Sequence, residues 1–467
     1  MWFIATLAGC FASASGEAPP SIVLVSLDTT RADRLGAYGG PAGLTPSLDR
    51  FASEAVVFTH AYSQTTTTGP SHASLFTSRY PSEQAGRDRK PVLGSSPLLA
   101  EILRTYGYQT GAFVAGGDLS QAMGLDKGFD TYTVATDFAS FFHTIPSAMA
   151  WIDARDVDRP FFAFVHGYDA HARYLKPTPW GYVAADRQAQ DLFEDTLMRA
   201  SESVIDGQLY PSQRRMEEST LDLFRPRSAE GRATLPDGTT QPVTAEQQAL
   251  IRAIYDGAVA YEDTLFGLLM AQLSARVLLE KTIVVVFADH GEQLGEDGIY
   301  NHCCDVQDWE THVPLMVRVP GNPPGRVDGL VELVDVMPTL LELARALSPA
   351  GARGHSLLPA VRGEPFEGRA LAFSQGFYNL RMTSARSADG RLTYDGLPSG
   401  TPPILDLLAA APLDGPSFRL TEGLDIAEAV EVRAGMVEWM GHLDKPTSAG
   451  EGLPEAMKES LKQRGYW

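Results

Sequence analysis

Residues 21–28 read SIVLVSLD, and this stretch gives the clearest indication of the fold. It is an apolar run without polar alternation, and it ends at an acidic residue, Asp28. A strand with this pattern is covered on both faces, which is typical of a mainly parallel sheet with helices on each side. The stretch therefore predicts a buried strand that carries an ionisable side chain at its carboxyl end.

Three further runs repeat this pattern, at residues 110–115 (TGAFVA), 161–166 (FFAFVH) and 282–288 (TIVVVFA). Between them, residues 98–106 and 253–273 carry apolar side chains at helical spacing, as crossover helices do. We therefore predict an α/β fold around a mostly parallel central sheet.

Length and composition indicate a folded globular protein. The 467 residues suffice for one large domain and a smaller appendix. A hydrophobic content of 44% and a charged content of 21% argue against disorder and against a multi-span membrane protein. The net charge of -20 would repel a phosphate backbone, so we expect no nucleic-acid partner. The oligomeric state leaves no signal in the sequence.

The first twenty residues are typical of an export signal, because a short apolar run passes into small residues and prolines. Residues 7–10 (LAGC) resemble a bacterial lipobox, in which Cys10 would be lipidated, whereas residues 12–14 (ASA) offer an ordinary cleavage site. A buried N-terminal strand or helix is the alternative. We expect an exported protein, periplasmic or at the cell surface, with a lipid anchor to the membrane as one option.

Two later regions differ in character from the sheet-forming part. Residues 181–250 are polar and highly charged, which predicts either a lid over the site or a solvated excursion. From residue 346 to 467 the chain is punctuated by Gly and Pro. Strand-like pieces at 379–384 and 391–394 and a helix-like piece at 425–440 predict a small α+β subdomain.

Ionisable side chains follow three of the predicted strands. Asp28 follows the first strand, HGYDAH (residues 166–171) ends the third, and Asp289 and His290 follow the last. Open α/β sheets place their functional sites at this edge. Residues 65–77 predict a polar loop that enters a helix, with Thr68 at the helix N-terminus, where backbone N–H groups favour negative charge.

A threonine hydroxyl needs a base or a metal ion before it can act as a nucleophile. Asp28, Asp289, His290 and Thr68 offer two carboxylates, an imidazole and a hydroxyl, a plausible shell for a divalent cation. Such ligands admit Zn, Mn, Mg or Ca. Thr68 stands in a run of four threonines, so Thr67 is an alternative nucleophile.

Six segments in this order resemble the sulfatase family over about residues 20–400. They are SLDTTRADRLGAYG, TPSLDRFASEAVVFTHAYS, TGPSHASLFTSRYP, FFAFVHGYDAHARY, FADHGEQLGEDG and VPLMVRVPG, and LVELVDVMPTLLELA and GHSLLPAVRG continue the likeness. The resemblance implies an alkaline phosphatase-like α/β/α sandwich with a small C-terminal α+β subdomain. It also implies metal-dependent, in-line attack on sulfur or phosphorus through a covalent intermediate.

Carried over by position, the resemblance assigns Asp28, Asp289 and His290 as metal ligands and Thr68 as the nucleophile. His171 and His302 match positions that face the ester group or its leaving oxygen, so they are candidate catalytic and substrate-binding residues. His72 stands in the place of the loop's arginine and is a further substrate-binding candidate. Orienting Thr68, or lying on the helix surface, are its alternatives.

The sequence departs from true sulfatases at several positions. Thr68 replaces the cysteine or serine that is oxidised to formylglycine, Thr29 replaces a second acidic ligand, and no Gly-Lys-Trp-His segment follows residue 115. These departures favour a phosphate or phosphonate ester over a sulfate ester. The alternatives are an arylsulfatase-like hydrolase, a phosphoethanolamine-type transferase and an inactive binding protein.

Two expectations concern what the site holds. One cation is expected, and a second is an alternative if Asp169 joins His171 or His302. The substrate is expected to be a small-molecule, glycan or lipid ester. Cys303 and Cys304 are interpreted as small loop residues, because adjacent cysteines chelate one ion poorly.

Overall fold

The computed structural model describes most of the predicted sheet and helices. It covers residues 19–84, 93, 96–136, 138–171, 232–234, 240–242, 245–296, 300–302, 306–376, 382–395, 418–420 and 426–443. The predicted signal, Cys10, Cys303 and Cys304 lie outside these ranges, as does most of the predicted insertion at 181–250. None of the helices in the described ranges combines the length and apolarity that a membrane crossing requires.

The strands form one large sheet and three smaller ones. In chain order they are β1 (Ser21–Leu27), β2 (Val56–Tyr62), β3 (Gln109–Val114), β4 (Thr131–Val134), β5 (Phe161–Gly167), β6 (Arg232–Thr234), β7 (Thr240–Pro242), β8 (Thr282–Phe287), β9 (Gln293–Leu294), β10 (Tyr300–Asn301), β11 (His312–Val313), β12 (Leu315–Arg318), β13 (Gly325–Glu332), β14 (Ala372–Gln375), β15 (Met382–Arg386), β16 (Arg391–Asp395) and β17 (Phe418–Leu420).

The four predicted strands are neighbours in the large sheet. Its order is β11-β2-β12-β8-β1-β5-β3-β4, with β13 paired to β2, and β8, β1, β5 and β3 run parallel to one another. β1, β5 and β8 are buried along nearly their whole lengths, as their continuous apolar sequences require. The prediction of a mostly parallel central sheet is confirmed, and the carboxyl ends of β1, β5 and β8 meet at one edge.

One side of the sheet is mixed in direction, which the sequence did not reveal. β12 pairs antiparallel with both β8 and β2, whereas β13 pairs parallel with β2. β13 is exposed at its start and buried only over its last three residues, so its sequence lacks the continuous apolar run that marks the central strands.

The helices pack on both faces of the sheet. They are α1 (Pro46–Ala52), α2 (Thr68–Thr77), α3 (Pro81–Gln84), α4 (Leu99–Thr105), α5 (Phe141–Ala154), α6 (Ala245–Ala275), α7 (Asp308–Thr311), α8 (Val336–Leu343), α9 (Leu358–Val361) and α10 (Ile426–Gly441). The two predicted crossover helices correspond to α4 and α6. α2 is buried along its entire length, because it lies between the sheet and the elements that follow β13.

A small unit follows the large sheet. β14, β15, β16 and β17 form an antiparallel sheet, and α10 packs on β15 and β16. Leu357, Ala360 and Val361, which follow the predicted boundary at residue 346, pack in the main core. The core of the small unit includes Phe373 and Met436.

Candidate metal centre and nucleophile

The ends of two adjacent parallel strands bring three ligand-type side chains together. Asp28 directly follows β1, and Asp289 and His290 follow β8 after one residue. One ligand atom from each of the three lies within 4.8 Å of the other two. All three side chains are fully buried. Residues more than 250 positions apart in the chain therefore form one compact cluster.

Each carboxylate in this cluster has one oxygen engaged by the protein and one that is not. Asp28 Oδ2 accepts a hydrogen bond from His166 at 2.9 Å, and Asp289 Oδ1 accepts from the backbone N–H groups of Thr29 and His290 at 3.2 and 3.0 Å. Asp28 Oδ1 and Asp289 Oδ2 are buried and have no hydrogen-bond partner among the described residues. Two orphaned buried carboxylate oxygens are costly unless a cation lies between them, so the residues fit a metal ion.

Burial and the nearby Asp289 carboxylate raise the pKa of Asp28 well above its ordinary value. Burial also acts to raise the pKa of Asp289, but the adjacent imidazoles of His290, His72 and His166 outweigh it, and the pKa of Asp289 is lowered. The pair therefore resists carrying two negative charges without a compensating cation.

His290 is held in the tautomer that a metal ligand needs. Its Nδ1 lies 2.9 Å from the Gly291 carbonyl oxygen, which can only accept, so Nδ1 carries the proton. Nε2 then presents its lone pair, 3.4 Å from Thr68 Oγ1 and 3.4 Å from Asp289 Oδ2. Burial lowers the pKa of His290 to about 4, so the imidazole is neutral at ordinary pH.

Thr68 is the first residue of α2, and its hydroxyl faces this cluster. Thr67 is the N-cap residue, and its side chain makes no capping hydrogen bond. The Thr67 hydroxyl is buried without a hydrogen-bond partner among the described residues, whereas that of Thr68 lies beside His290. The Ser71 hydroxyl donates to the Asp289 carbonyl oxygen at 2.7 Å and ties α2 to the end of β8.

His72 lies beneath Thr68 and not on the helix surface. It is fully buried, and its Nδ1–H donates to the Thr68 carbonyl oxygen at 2.8 Å. Its Nε2 therefore accepts from the Ser26 hydroxyl at 2.9 Å. Both ring nitrogens of His72 contact protein groups in this structure, the Thr68 carbonyl oxygen and the Ser26 hydroxyl. Burial lowers the pKa of His72.

A strained turn follows Asp28. Thr29 has φ of 57°, which is rare for a β-branched residue. Tyr255, on α6, stabilises the turn, because its hydroxyl donates to the Thr29 carbonyl oxygen at 2.7 Å and accepts from the Arg31 N–H at 3.0 Å. The turn directs the Thr29 N–H at Asp289, so backbone strain is used to assemble the cluster.

His302 and His171 lie next to the cluster, as a row of rings. The ring centroids of His290 and His302 are 4.5 Å apart, and those of His302 and His171 are 5.0 Å apart. Phe138 and Tyr168 pack on the far side of His171. His302 Nδ1 lies 3.1 Å from Oε1 of Glu292, a fully buried carboxylate.

Asp169 does not join a second metal site in this structure. Its Oδ2 accepts the Phe141 N–H at 2.8 Å, at the start of α5. Within the described ranges, Asp28, Asp289 and His290 are the one group of three such residues close enough to hold an ion.

Sequence reasoning gave no role to His166 or Glu292. His166 is the sixth residue of β5, and the sequence places it among the ionisable residues at the end of that strand without naming a partner for it. Its position inside an otherwise apolar run was the available signal, because a histidine there requires a polar partner.

The chain is similar in sequence to known sulfatases. A sequence model of the sulfatase family matches residues 20–346. An ulvan-active sulfatase from Formosa agariphila is 28% identical over 386 residues, which cover 79% of this chain and 71% of that protein.

Two solved structures share the fold. A phosphonate monoester hydrolase of Agrobacterium radiobacter superposes with a TM-score of 0.63 at 20% identity, covering 90% of this chain and 94% of that one. A structure solved with D-glucosamine-2-N,6-O-disulfate as its substrate gives a TM-score of 0.61 at 18% identity, covering 95% and 98%. With the family match spanning well over half of its residues, the chain belongs to the sulfatase family.

Proposed function

We propose that this protein is a metal-dependent hydrolase that cleaves a phosphate or phosphonate ester through Thr68. The observation that carries the proposal is the position of the Thr68 hydroxyl. It lies at a helix N-terminus, 3.4 Å from His290 Nε2, in the cluster that contains Asp28 and Asp289. Backbone N–H groups at such a terminus favour the negative charge that develops on a reacting oxygen.

Asp28, Asp289 and His290 would hold the cation, with the Thr68 oxygen beside them. A divalent cation held there would lower the pKa of the hydroxyl and neutralise charge on the ester. The alternative is that His290 acts directly as a general base. A pKa of about 4 makes this imidazole a weak base towards an alcohol, which favours the ligand role. Imidazole among the ligands favours Zn or Mn over Mg or Ca.

The proposed reaction has two steps. The Thr68 hydroxyl gives its proton to solvent water as its oxygen attacks phosphorus in line, and the bond from phosphorus to the leaving oxygen breaks, which gives a threonine ester. His302 or His171 donates a proton to the leaving oxygen. Water then attacks phosphorus and returns a proton to that imidazole, while the Thr68 oxygen leaves and takes a proton from solvent, which restores the hydroxyl. His72 keeps its place beneath the loop and orients Thr68 through the Thr68 carbonyl oxygen.

Phosphorus is favoured over sulfur because of the nucleophile itself. Oxidation of threonine cannot yield the formylglycine aldehyde, so Thr68 must react as an alcohol. The Agrobacterium phosphonate monoester hydrolase shows that this fold hosts phosphorus chemistry. A sulfuric ester remains the second candidate, because the Formosa relative is a sulfatase.

A panel of p-nitrophenyl esters tests the proposal, with sulfate, phosphate monoester, phosphate diester and phosphonate, each with and without chelator. We expect turnover of a phosphorus ester, loss of activity with chelator, and a loss of at least about 10³-fold in Thr68→Ala. Thr67→Ala is the matched control and should retain activity, since the Thr67 side chain caps nothing. Turnover of sulfate alone, or full activity in Thr68→Ala, would overturn the mechanism.

Two other functions share this site and can be separated from hydrolysis. A group transferase would form the same threonine ester and pass the group to an alcohol, so product analysis with an added alcohol distinguishes it. A binding protein without activity would keep the fold alone. The orphaned oxygens of Asp28 and Asp289 argue against a binding protein without activity, because buried carboxylates without a cation destabilise the fold.

The substrate and cellular location complete the proposal. We favour a glycan, lipid or small-molecule ester, because one solved structure of this fold was determined with a sulfated glucosamine. We also propose export, with a lipid on Cys10. Membrane fractionation of wild type and Cys10→Ser tests this part, and equal partitioning of the two would refute the anchor.

A further inference from the structure

His166 is a buried histidine that the proposed reaction does not use. It lies on β5, where it pairs with Ser26 of β1 in the parallel register, two residues before Asp28. The His166 ring and the Asp28 carboxylate are both fully buried, and His166 Nε2 lies 2.9 Å from Asp28 Oδ2.

The surrounding backbone favours one tautomer of His166. The Ala115 N–H, which follows β3, points at Nδ1 over 3.4 Å. A nitrogen that accepts from an N–H cannot itself carry a proton, so the proton of the neutral ring belongs on Nε2. Nε2–H then donates to Asp28 Oδ2.

The ring is also held from the sides. Tyr168 meets His166 edge to face with centroids 4.6 Å apart, and His72 meets it edge to face at 5.5 Å. The donor is therefore fixed in direction when the protein folds, so a metal ion does not have to order it on binding.

This contact separates the two oxygens of Asp28. Oδ2 is engaged by His166, whereas Oδ1 has no hydrogen-bond partner among the described residues and lies on a carboxylate that clusters with Asp289 and His290. We infer that His166 is a positioning residue for the cation site: its Nε2–H fixes the Asp28 carboxylate so that Oδ1 is presented to the metal ion. The inference rests on the proposed metal-dependent function, and it assigns the role to hydrogen bonding and not to packing.

Substitutions at this position separate the two roles. His166→Leu fills the apolar surroundings but removes the donor, whereas His166→Gln keeps an N–H near the position of Nε2 but buries a second polar atom. His166→Met is made beside His166→Leu so that the test does not depend on one apolar variant folding. His143→Gln, at an exposed position of α5, is the matched control.

The readout is the dissociation constant of Zn²⁺, and separately of Mn²⁺, for the full chain after removal of metal, measured against a chromophoric chelator. Thermal unfolding of each metal-free variant is recorded beside it. We expect the apolar variants to bind about 10- to 100-fold more weakly than wild type, as loss of a ligand's hydrogen-bond partner does. His166→Gln should recover most of the affinity, although it should be the less stable protein, since it buries an amide among aromatic rings.

Each result decides the question. Wild-type affinity in both apolar variants would overturn the inference, and so would equal weakening in the apolar and Gln variants, which is the result expected of packing alone. If wild type binds neither ion, nor Mg²⁺ or Ca²⁺ offered in the same way, the proposed metal-dependent function itself fails. If wild type binds and only the ranking of the His166 variants is wrong, the function stands and the positioning role falls.

Discussion

Asp28→Asn should raise the stability of the metal-free protein while it removes metal binding. Asn has the shape of Asp, and its amide oxygen can still accept the His166 N–H. Its NH₂ group then takes the place of Oδ1, where it repels a cation. Because burial and Asp289 raise the pKa of Asp28, the ionised carboxylate opposes folding when no metal is bound. The variant lacks that charge, so metal-free Asp28→Asn should unfold at a temperature equal to or above that of wild type.

Metal reverses the order of the two proteins. At a free concentration of 100 times its dissociation constant, a ligand stabilises the native state by about 2.7 kcal/mol. For a chain of this length, about 1 kcal/mol moves the unfolding temperature by roughly 1 °C, so wild type should gain roughly 3 °C. If the substitution weakens binding by about 100-fold, the gain falls to about 0.4 kcal/mol, within the error of the scan.

Calorimetry of wild type and Asp28→Asn, each with chelator and with Zn²⁺, checks this prediction. Asp158→Asn removes an exposed carboxylate and serves as the control that should behave as wild type does. A full metal-dependent shift in Asp28→Asn would refute the assignment of Asp28 as a ligand. A large loss of stability in the metal-free variant would refute the claim that its charge opposes folding.

Three further predictions concern the groups around the cluster. Tyr255→Phe should lower the free energy of unfolding, measured by denaturant titration, by about 1–3 kcal/mol, because the Thr29 carbonyl oxygen and the Arg31 N–H both lose a buried hydrogen-bond partner. A change below about 0.5 kcal/mol would show that the turn is stable without the Tyr255 hydroxyl. Lowering the pH from 7.5 to 5 should lower the unfolding temperature in chelator, because burial lowers the pKa of the imidazoles of His72, His166 and His290. Stability supplied by such groups is complete above a pH of about 6.5 and is lost as the pH falls below it. The raised pKa of Asp28 has the opposite effect, because it makes the protein more stable as the pH falls, but it involves only one proton. An unfolding temperature that stays constant or rises between pH 7.5 and pH 5 would therefore contradict this prediction. Glu292→Gln should lower kcat by about 10- to 100-fold for a phenyl ester and much less for a p-nitrophenyl ester. Phenol is the poorer leaving group and depends more on a proton from His302, which Glu292 orients. Equal losses of kcat on both esters would assign Glu292 a structural role.

The central part of the fold could be predicted from the sequence, because its strands are covered on both faces. β1, β5 and β8 are continuous apolar runs, and such runs have few alternatives to a buried parallel strand. β13 could not be found in the same way, since only its last three residues are buried and the rest of its pattern depends on pairing with β2.

The same distinction applies to the site. Asp28 stands directly after β1 and His290 within three residues of the end of β8, where position along the chain already indicates position at the sheet edge. His166 and His72 act through contacts with Asp28 and the Thr68 carbonyl oxygen that only the register of β1 and β5 and the docking of α2 create. Local sequence does not encode such a register, so orienting Thr68 could be given for His72 only as one alternative, and the contact of His166 with Asp28 could not be predicted.

The central place of β1 has a consequence for how the chain is made. Ile22 pairs with Phe162 on one side and with Ile283 on the other, so β1 has no neighbour until about a third of the polypeptide has been synthesised, and it lacks its second neighbour until more than half has been. The apolar segment that forms β1 must therefore be protected from aggregation for many seconds of translation. Holding chaperones, and not rapid local folding, would govern the yield of active molecules.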